Sequence, residues 1–244
     1  MLGLSQQFAI GNRILEALPR EQFARLQPHL VTVRLQRDEV VYIAGDQIRY
    51  VYFPVDGLLS LLSTTETGST VEVAMVGNEG VVGLPVILKN RTIPYEVTVH
   101  TETNAFKIKA EDFLEEFDRG EGLHDYLLRY MYLVIAEISQ AALCHRFHTV
   151  EEALGRWLLM VQDRLHTDSL NLTQESISHV LGVPRTGVTM AAGALQRAGL
   201  IRYSRGKIMI VDREGLEKQS CECFRIVHKE LNQFLNGGKD LVEA

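Results

Sequence analysis

The hydrophobic period of this chain changes near Ala110, and that change limits the architectures open to it. From Leu30 to about Lys109 the apolar residues alternate in short segments: Val31–Leu35, Val40–Ile43, Tyr50–Phe53, Leu58–Leu62, Val71–Val76, Glu96–His100 and Ala105–Lys109. Turn formers separate them, at Gly45-Asp46, Pro54-Val-Asp-Gly57, Thr67-Gly68, Gly77-Asn78 and Thr103-Asn104. Many short strands between regularly placed turns predict a compact antiparallel roll or barrel. An amphipathic start (Ile14, Leu15, Leu18, Phe23, Leu26) precedes it.

Beyond Ala110 the pattern is helical. Leu123 to Arg146 holds no Gly or Pro and carries two apolar rows, Leu127/Val134/Ala141 and Leu128/Ile135/Ala142. A helix apolar on more than one face has to be covered on two sides. Its own roll is one cover, and the same helix of a second subunit is the other, because a seven-residue repeat favours side-by-side packing. Leu123, Leu127, Tyr130, Val134, Ile138 and Ala141 are the expected dimer contacts; a core helix of a monomer is the alternative. Glu137 is a polar intruder that leaves the register open. A domain boundary is placed near 147–150, giving a roll domain over 1–120, a dimerisation helix over 121–147 and a C-terminal domain over 148–244.

The most specific local signal runs from Leu172 to Ile201. Thr173 is a good N-cap, Glu175 suits the first turn, and Ile177, Val180 and Leu181 form an apolar stripe that stops at Gly182. Pro184 suits the start of a second helix, whose buried face is Val188, Ala191, Ala192 and Leu195 before Gly199. Two helices joined by a turn containing glycine form a helix-turn-helix. Leu200–Val211 then reads as a hairpin around Ser204-Arg-Gly-Lys207, with Gly206 free to take a positive φ. The sum is a winged helix, and the fold class is α+β: an antiparallel β-roll of the double-stranded β-helix or jelly-roll type, a long helix and a winged helix-turn-helix.

Charge distribution agrees. The whole chain has 25 Lys+Arg against 31 Asp+Glu, a net charge of −6 that by itself argues against nucleic acid. Residues 1–149 hold 13 basic and 19 acidic side chains, whereas residues 183–213 hold six basic residues and the single acid Asp212. The acidity belongs to the roll, and the winged helix is locally positive where DNA would lie.

These motifs resemble the Crp/Fnr family of bacterial transcription regulators. Leu172-Thr-Gln-Glu, Leu181-Gly-Val, the stretch Ala192–Arg202 and Tyr52-Phe-Pro-Val-Asp-Gly57 carry the likeness, and Cys221-Glu-Cys-Phe is similar to the subgroup with this helix-turn-helix variant. The resemblance implies a homodimer on double-stranded, pseudo-palindromic operator DNA, acting with RNA polymerase, with an effector bound in the roll. Arg185 matches the first base-reading arginine of the cyclic-AMP receptor branch, suited to a bidentate guanine contact. Thr186 and Met190 stand where that branch has Glu and a second Arg, so the operator should differ. Thr189 is a further groove candidate, and Thr173, Gln174, Arg205 and Lys207 suit phosphates.

At the effector site the family pattern breaks. Cyclic-nucleotide binders of the family use a Gly-Glu pair and an Arg-Ser or Arg-Thr pair; here Gly83 is followed by Leu84, and Pro94-Tyr95 occupies the second place, with Arg91-Thr92 three residues earlier. Burying a phosphate without aimed donors is costly, so a cyclic nucleotide is not expected and the effector is unknown. The rival reading is a cyclic-nucleotide-binding signalling module acting through protein contacts. A third is a cupin-like enzyme, but the chain lacks a nucleophile elbow, a P-loop and a dinucleotide fingerprint, so no enzymatic activity is expected.

The three cysteines do not form a disulfide framework, which points to the cytoplasm, and no leader or membrane span is read. Cys144-His145-Arg-Phe-His148 puts Cys144 and His148 one helical turn apart, able to ligate a metal if the helix persists. It supplies no more than three ligands and lies near the domain hinge, so a buried Cys and ordinary histidines are expected. Cys221 and Cys223 are expected to point to different faces of a helix, so no metal and no iron–sulfur cluster are expected.

Overall fold

In the computed structural model, which describes residues 10–237, two short helices, α1 (Arg13–Ala17) and α2 (Arg20–Leu26), lead into the roll. Asn12 explains the first of them. Its side-chain oxygen accepts from the amides of Ile14 and Leu15, while its Nδ2 donates to the carbonyls of Pro54 and Gly80 at 2.8 and 2.9 Å. One buried amide thus caps the helix and fastens it to the strands.

The strands are β1 (Val31–Leu35), β2 (Val40–Tyr42), β3 (Tyr50–Pro54), β4 (Leu58–Thr64), β5 (Thr70–Val76), β6 (Glu96–Thr101) and β7 (Thr103–Lys109). They form two antiparallel sheets, ordered β2-β6-β4-β5 and β1-β7-β3. The predicted segments all become strands. Their inward residues, among them Val51, Phe53, Leu59, Val97, Val99 and Ile108, make one apolar core.

After α3 (Ala110–Phe117), the long helix α4 spans Gly122–Phe147. Its mean hydropathy reaches 1.3 over an 18-residue window, of which only a third is buried within the chain. Glu137 is fully buried because Arg164, from α5 (Val150–Leu165), ion-pairs with it and also donates to Glu79 Oε1 at 2.7 Å. The apparent intruder is therefore the counter-ion that joins α4, α5 and the loop after β5. Helix α5 starts with a reciprocal capping box between Thr149 and Glu152, which sets the break from α4 at His148–Thr149.

The C-terminal part comprises β8 (Ser169–Asn171), α6 (Gln174–Leu181), α7 (Arg185–Arg197), β9 (Ile201–Ser204), β10 (Lys207–Ile210), α8 (Arg213–Gln219) and α9 (Glu222–Leu235). Its sheet has three strands, ordered β8-β10-β9, rather than the two-stranded hairpin expected. The added strand is three residues long with a single buried apolar position, Leu170, too little pattern to read from sequence. A second core gathers around Trp157, Leu158, Ile177, Val188, Leu195 and Ile208. Helix α9 then returns to pack along α4, where its Leu231 and Phe234 join the core of the roll.

Candidate nucleic-acid interface

The helix-turn-helix is held by local hydrogen bonds. Thr173 Oγ1 accepts from the Ser176 amide at 3.0 Å and caps α6, and Gly182 ends that helix at φ +63. The Ser178 hydroxyl donates to the Val183 carbonyl at 2.5 Å, fixing the turn before Pro184 caps α7. Val188, Ala191, Ala192 and Leu195 face the core, which leaves Arg185, Thr186, Thr189 and Met190 on the outer face. Met190 is 75% exposed, unusual for an apolar side chain on a folded surface.

Beyond the helix, Arg205 and Gly206 both take positive φ, +49 and +76, as the type I′ two-residue turn requires. The turn aims the exposed Arg205 and Lys207 outward from the wing. Tyr203 donates its amide to Gln196 Oε1 at 2.7 Å, so wing and α7 are set relative to each other. Thr173, Arg185, Thr186, Thr189, Met190, Arg205 and Lys207 are all exposed, and Gln174 is half-buried. Arg185 pairs with Glu175 at the start of α6, both well exposed. Arg213, counted in the basic segment, is instead committed to Asp163 and Glu217 at 2.7 and 2.8 Å.

The winged helix rests on the roll. Trp157 donates its indole N–H to Glu72 Oε1 at 2.7 Å, Ser60 donates to the other carboxylate oxygen, and the His100 ring stands edge-on to Trp157 at 5.3 Å. Burial pushes the Glu72 carboxyl up to about 7 and the His100 imidazole down to about 4. Neither residue stands out in the sequence, because the side chain that gives both their setting, Trp157, lies far along the chain from each.

The residues matched to the effector site do not form a polar pocket. Gly83 takes φ +101 before the short 3₁₀ turn Leu84–Leu88, and Leu84 is buried in the core. Arg91 and Thr92 are exposed, Arg91 lying with Arg49 and Lys109 around a surface cavity of about 420 Å³. Tyr95 is half-buried against the roll core, its hydroxyl pushed up to about 12.

The expected dimer row needs correction. Leu123, Leu127, Tyr130 and Ala141 are at most 5% exposed because they pack inside their own chain, and Val134 is half-buried against the roll core. Ile138 alone of the six is exposed. The open apolar face is formed by Leu128, Tyr132, Ile135, Ile138 and Leu143, and it includes Leu128 and Ile135 of the second row. Helical spacing revealed two apolar rows but not which one the roll covers.

The reading of the cysteines also needs correction. The ligand atoms of Cys144, His148, Cys221 and Cys223 all lie within 4.8 Å of one another. Cys221 is not helical; it is the extended N-cap of α9, at φ −72 and ψ 164, so the two-residue spacing no longer divides it from Cys223. Cys221 approaches Cys144, sulfur to sulfur, at 3.6 Å, and this contact, with Arg156 and His148 near, draws the Cys144 thiol down to about 5.

Comparison with known proteins matches both halves. A cyclic nucleotide-binding domain family covers residues 32–119, and a Crp-like helix-turn-helix domain family covers residues 152–219. The global nitrogen regulator of Synechocystis is 22% identical over 220 residues, spanning 85% of this chain and 96% of that protein. Among solved structures, a transcriptional regulator of the Crp/Fnr family from Eubacterium rectale superposes with a TM-score of 0.67 at 19% identity, covering 83% of this chain and 94% of that one. FixK2 from Bradyrhizobium japonicum gives 0.69 at 18% identity, covering 79% and 98%. A roll, a long helix and a Crp-like winged helix, in that order and with those matches, place this chain in the Crp/Fnr family of DNA-binding transcription regulators.

Proposed function

We propose that the chain works as a cytoplasmic homodimer that binds a pseudo-palindromic operator through paired α7 helices and acts with RNA polymerase. The observation that carries the reading is the single face shared by the start of α7 and the tip of the wing. Arg185, Thr186, Thr189 and Met190 would lie in the major groove, with Thr173, Gln174, Arg205 and Lys207 at flanking phosphates. Arg185 would exchange its exposed partner Glu175 for guanine, an inexpensive exchange because exposed ion pairs contribute little. The exposed methionine suits an apolar contact such as a thymine methyl.

Two copies would pair across Leu128, Tyr132, Ile135 and Ile138 of α4, a side-by-side arrangement that places two recognition helices about one DNA turn apart. The capping box at Thr149 supports a division at 147/148, while Leu123, Leu127, Tyr130 and Leu133 of the long helix share the core of the roll. A cyclic nucleotide is not the expected occupant of the roll, which takes a different small molecule or no ligand at all: Leu84 offers no acceptor to a ribose, and Arg91 sits on the surface. Binding, not catalysis, is the role of the roll.

Selection of operators from random duplexes, followed by a salt titration, tests this reading. A two-fold symmetric consensus and a steep fall of log affinity with log salt support it. Enrichment of no sequence, or a flat salt response, rejects it.

A further inference from the structure

Cys144, His148, Cys221 and Cys223 meet where the end of α4 touches the start of α9, and we propose that they form a tetrahedral Cys3His site for a single Zn²⁺ ion. The three cysteines are at most 5% exposed and the histidine side chain is 12% exposed, so the donors are gathered in the interior and not scattered over a surface. A tetrahedral zinc with bonds of about 2.3 Å to sulfur spaces its sulfurs about 3.8 Å apart. Cys144 and Cys221 already stand 3.6 Å apart, and Cys223 Sγ stands 3.6 Å from His148 Nδ1. The widest separation, 4.8 Å, closes with side-chain rotation on the order of 1 Å.

Two neighbours support a metal rather than a chance cluster. His148 turns Nδ1 toward the cysteines while its Nε2 faces Glu222 Oε2 at 3.3 Å. A carboxylate on the far nitrogen is the arrangement that fixes the tautomer of a zinc-bound histidine. Arg156 is the second neighbour. It is buried, no carboxylate lies within ion-pair distance of it among the described residues, and its Nε is without a hydrogen-bond partner. A buried cation without an ion-pair contact is costly. Three thiolates and a histidine around Zn²⁺ carry one net negative charge, which this guanidinium would offset; the three thiol protons leave to solvent as the metal binds.

Soft thiolate ligands at tetrahedral spacing select zinc over hard cations. With all four places taken by protein, the site is structural and has no open position for substrate. Cys144 and Cys221 are 77 residues apart, so the ion would close the loop that contains the winged helix.

The test is the metal content of the full chain, purified without chelators or a histidine tag. One zinc per chain is expected, and a mercurial that titrates the thiols should release it in step. Cobalt substituted for zinc should show the absorption of a tetrahedral thiolate complex. The double substitution Cys144→Ser with Cys223→Ser should lower bound zinc at least tenfold. Because that variant can fail to fold, Glu222→Gln, which keeps all four ligands, provides a second reading: zinc retention against a chelator should weaken about 10–100-fold. Freely titrating thiols that take up neither zinc nor cobalt, iron in place of zinc, or unchanged retention in Glu222→Gln would each overturn the proposal.

Discussion

The indole of Trp157 crosses from α5 into the roll and donates to the fully buried carboxyl of Glu72 at 2.7 Å. On its edge stands His100, so the meeting of the two cores is made by two titratable groups shifted in opposite senses. Glu72 in the folded chain keeps a proton that the unfolded chain loses above about 4.5, so stability falls as pH rises from there to about 7. His100 refuses a proton that the unfolded chain accepts below 6.5, so stability falls as pH drops from there to about 4.

Between about pH 4.5 and 6.5 the two slopes cancel in the parent chain, each being about 1.4 kcal/mol per pH unit. Glu72→Gln should expose the histidine slope, with stability rising with pH; His100→Gln should expose the opposite one. Other groups near the pair, Arg156 and Glu137 toward Glu72, Arg37 and Asp38 toward His100, are common to both variants. Urea unfolding at stepped pH reads this directly, because Trp157 is the sole tryptophan. Identical pH profiles for Glu72→Gln and the parent would refute the assignment.

Arg164 holds Glu79 and Glu137 together in the interior. Arg164→Met should cost about 3–5 kcal/mol, since it leaves two carboxylates buried without a cation. Adding Glu79→Gln and Glu137→Gln should restore much of that loss. A denaturation midpoint that stays at the parent value in Arg164→Met would show the triad to be dispensable.

The open face of α4 should set the oligomeric state. Tyr132→Asp with Ile135→Asp removes two side chains that are 61% and 55% exposed, so the fold itself should be spared. Sedimentation should then give the mass of one chain, with operator affinity lost. Leu127→Asp, aimed at the buried row, should instead unfold the roll.

Arg185→Ala should cost about 1–3 kcal/mol at one base position and little elsewhere, measured by binding to a panel of singly substituted operators. Lys207→Ala should weaken all sequences alike and reduce the salt slope by about one. If Arg185→Ala instead lowered affinity equally across the panel, the arginine would belong with the phosphate contacts.

Much of this was legible where the signal is local. Thr173, Gly182 and Gly206 each mark a boundary through their own backbone preferences, and the strands announce themselves by alternation between turn residues. Residues 1–9 and 238–244, the ends of the first and last expected domains, lie outside the described residues. Features that depend on distant partners stayed hidden. Glu137 looks misplaced until Arg164 is beside it, and Leu127 looks no different from Leu128 until the roll covers one of them. Cys221 and Cys223 mislead for another reason: the helix assumed to separate them begins one residue later.

The return of α9 along α4 has a mechanical consequence. A reading head hung from one flexible joint could swivel freely, whereas this one is anchored at both its entry, near Thr149, and its exit, where Leu231 and Phe234 seat in the roll. The Trp157–Glu72 bond adds a third hold between those two, so the orientation of α7 relative to the roll is set at three places along the chain.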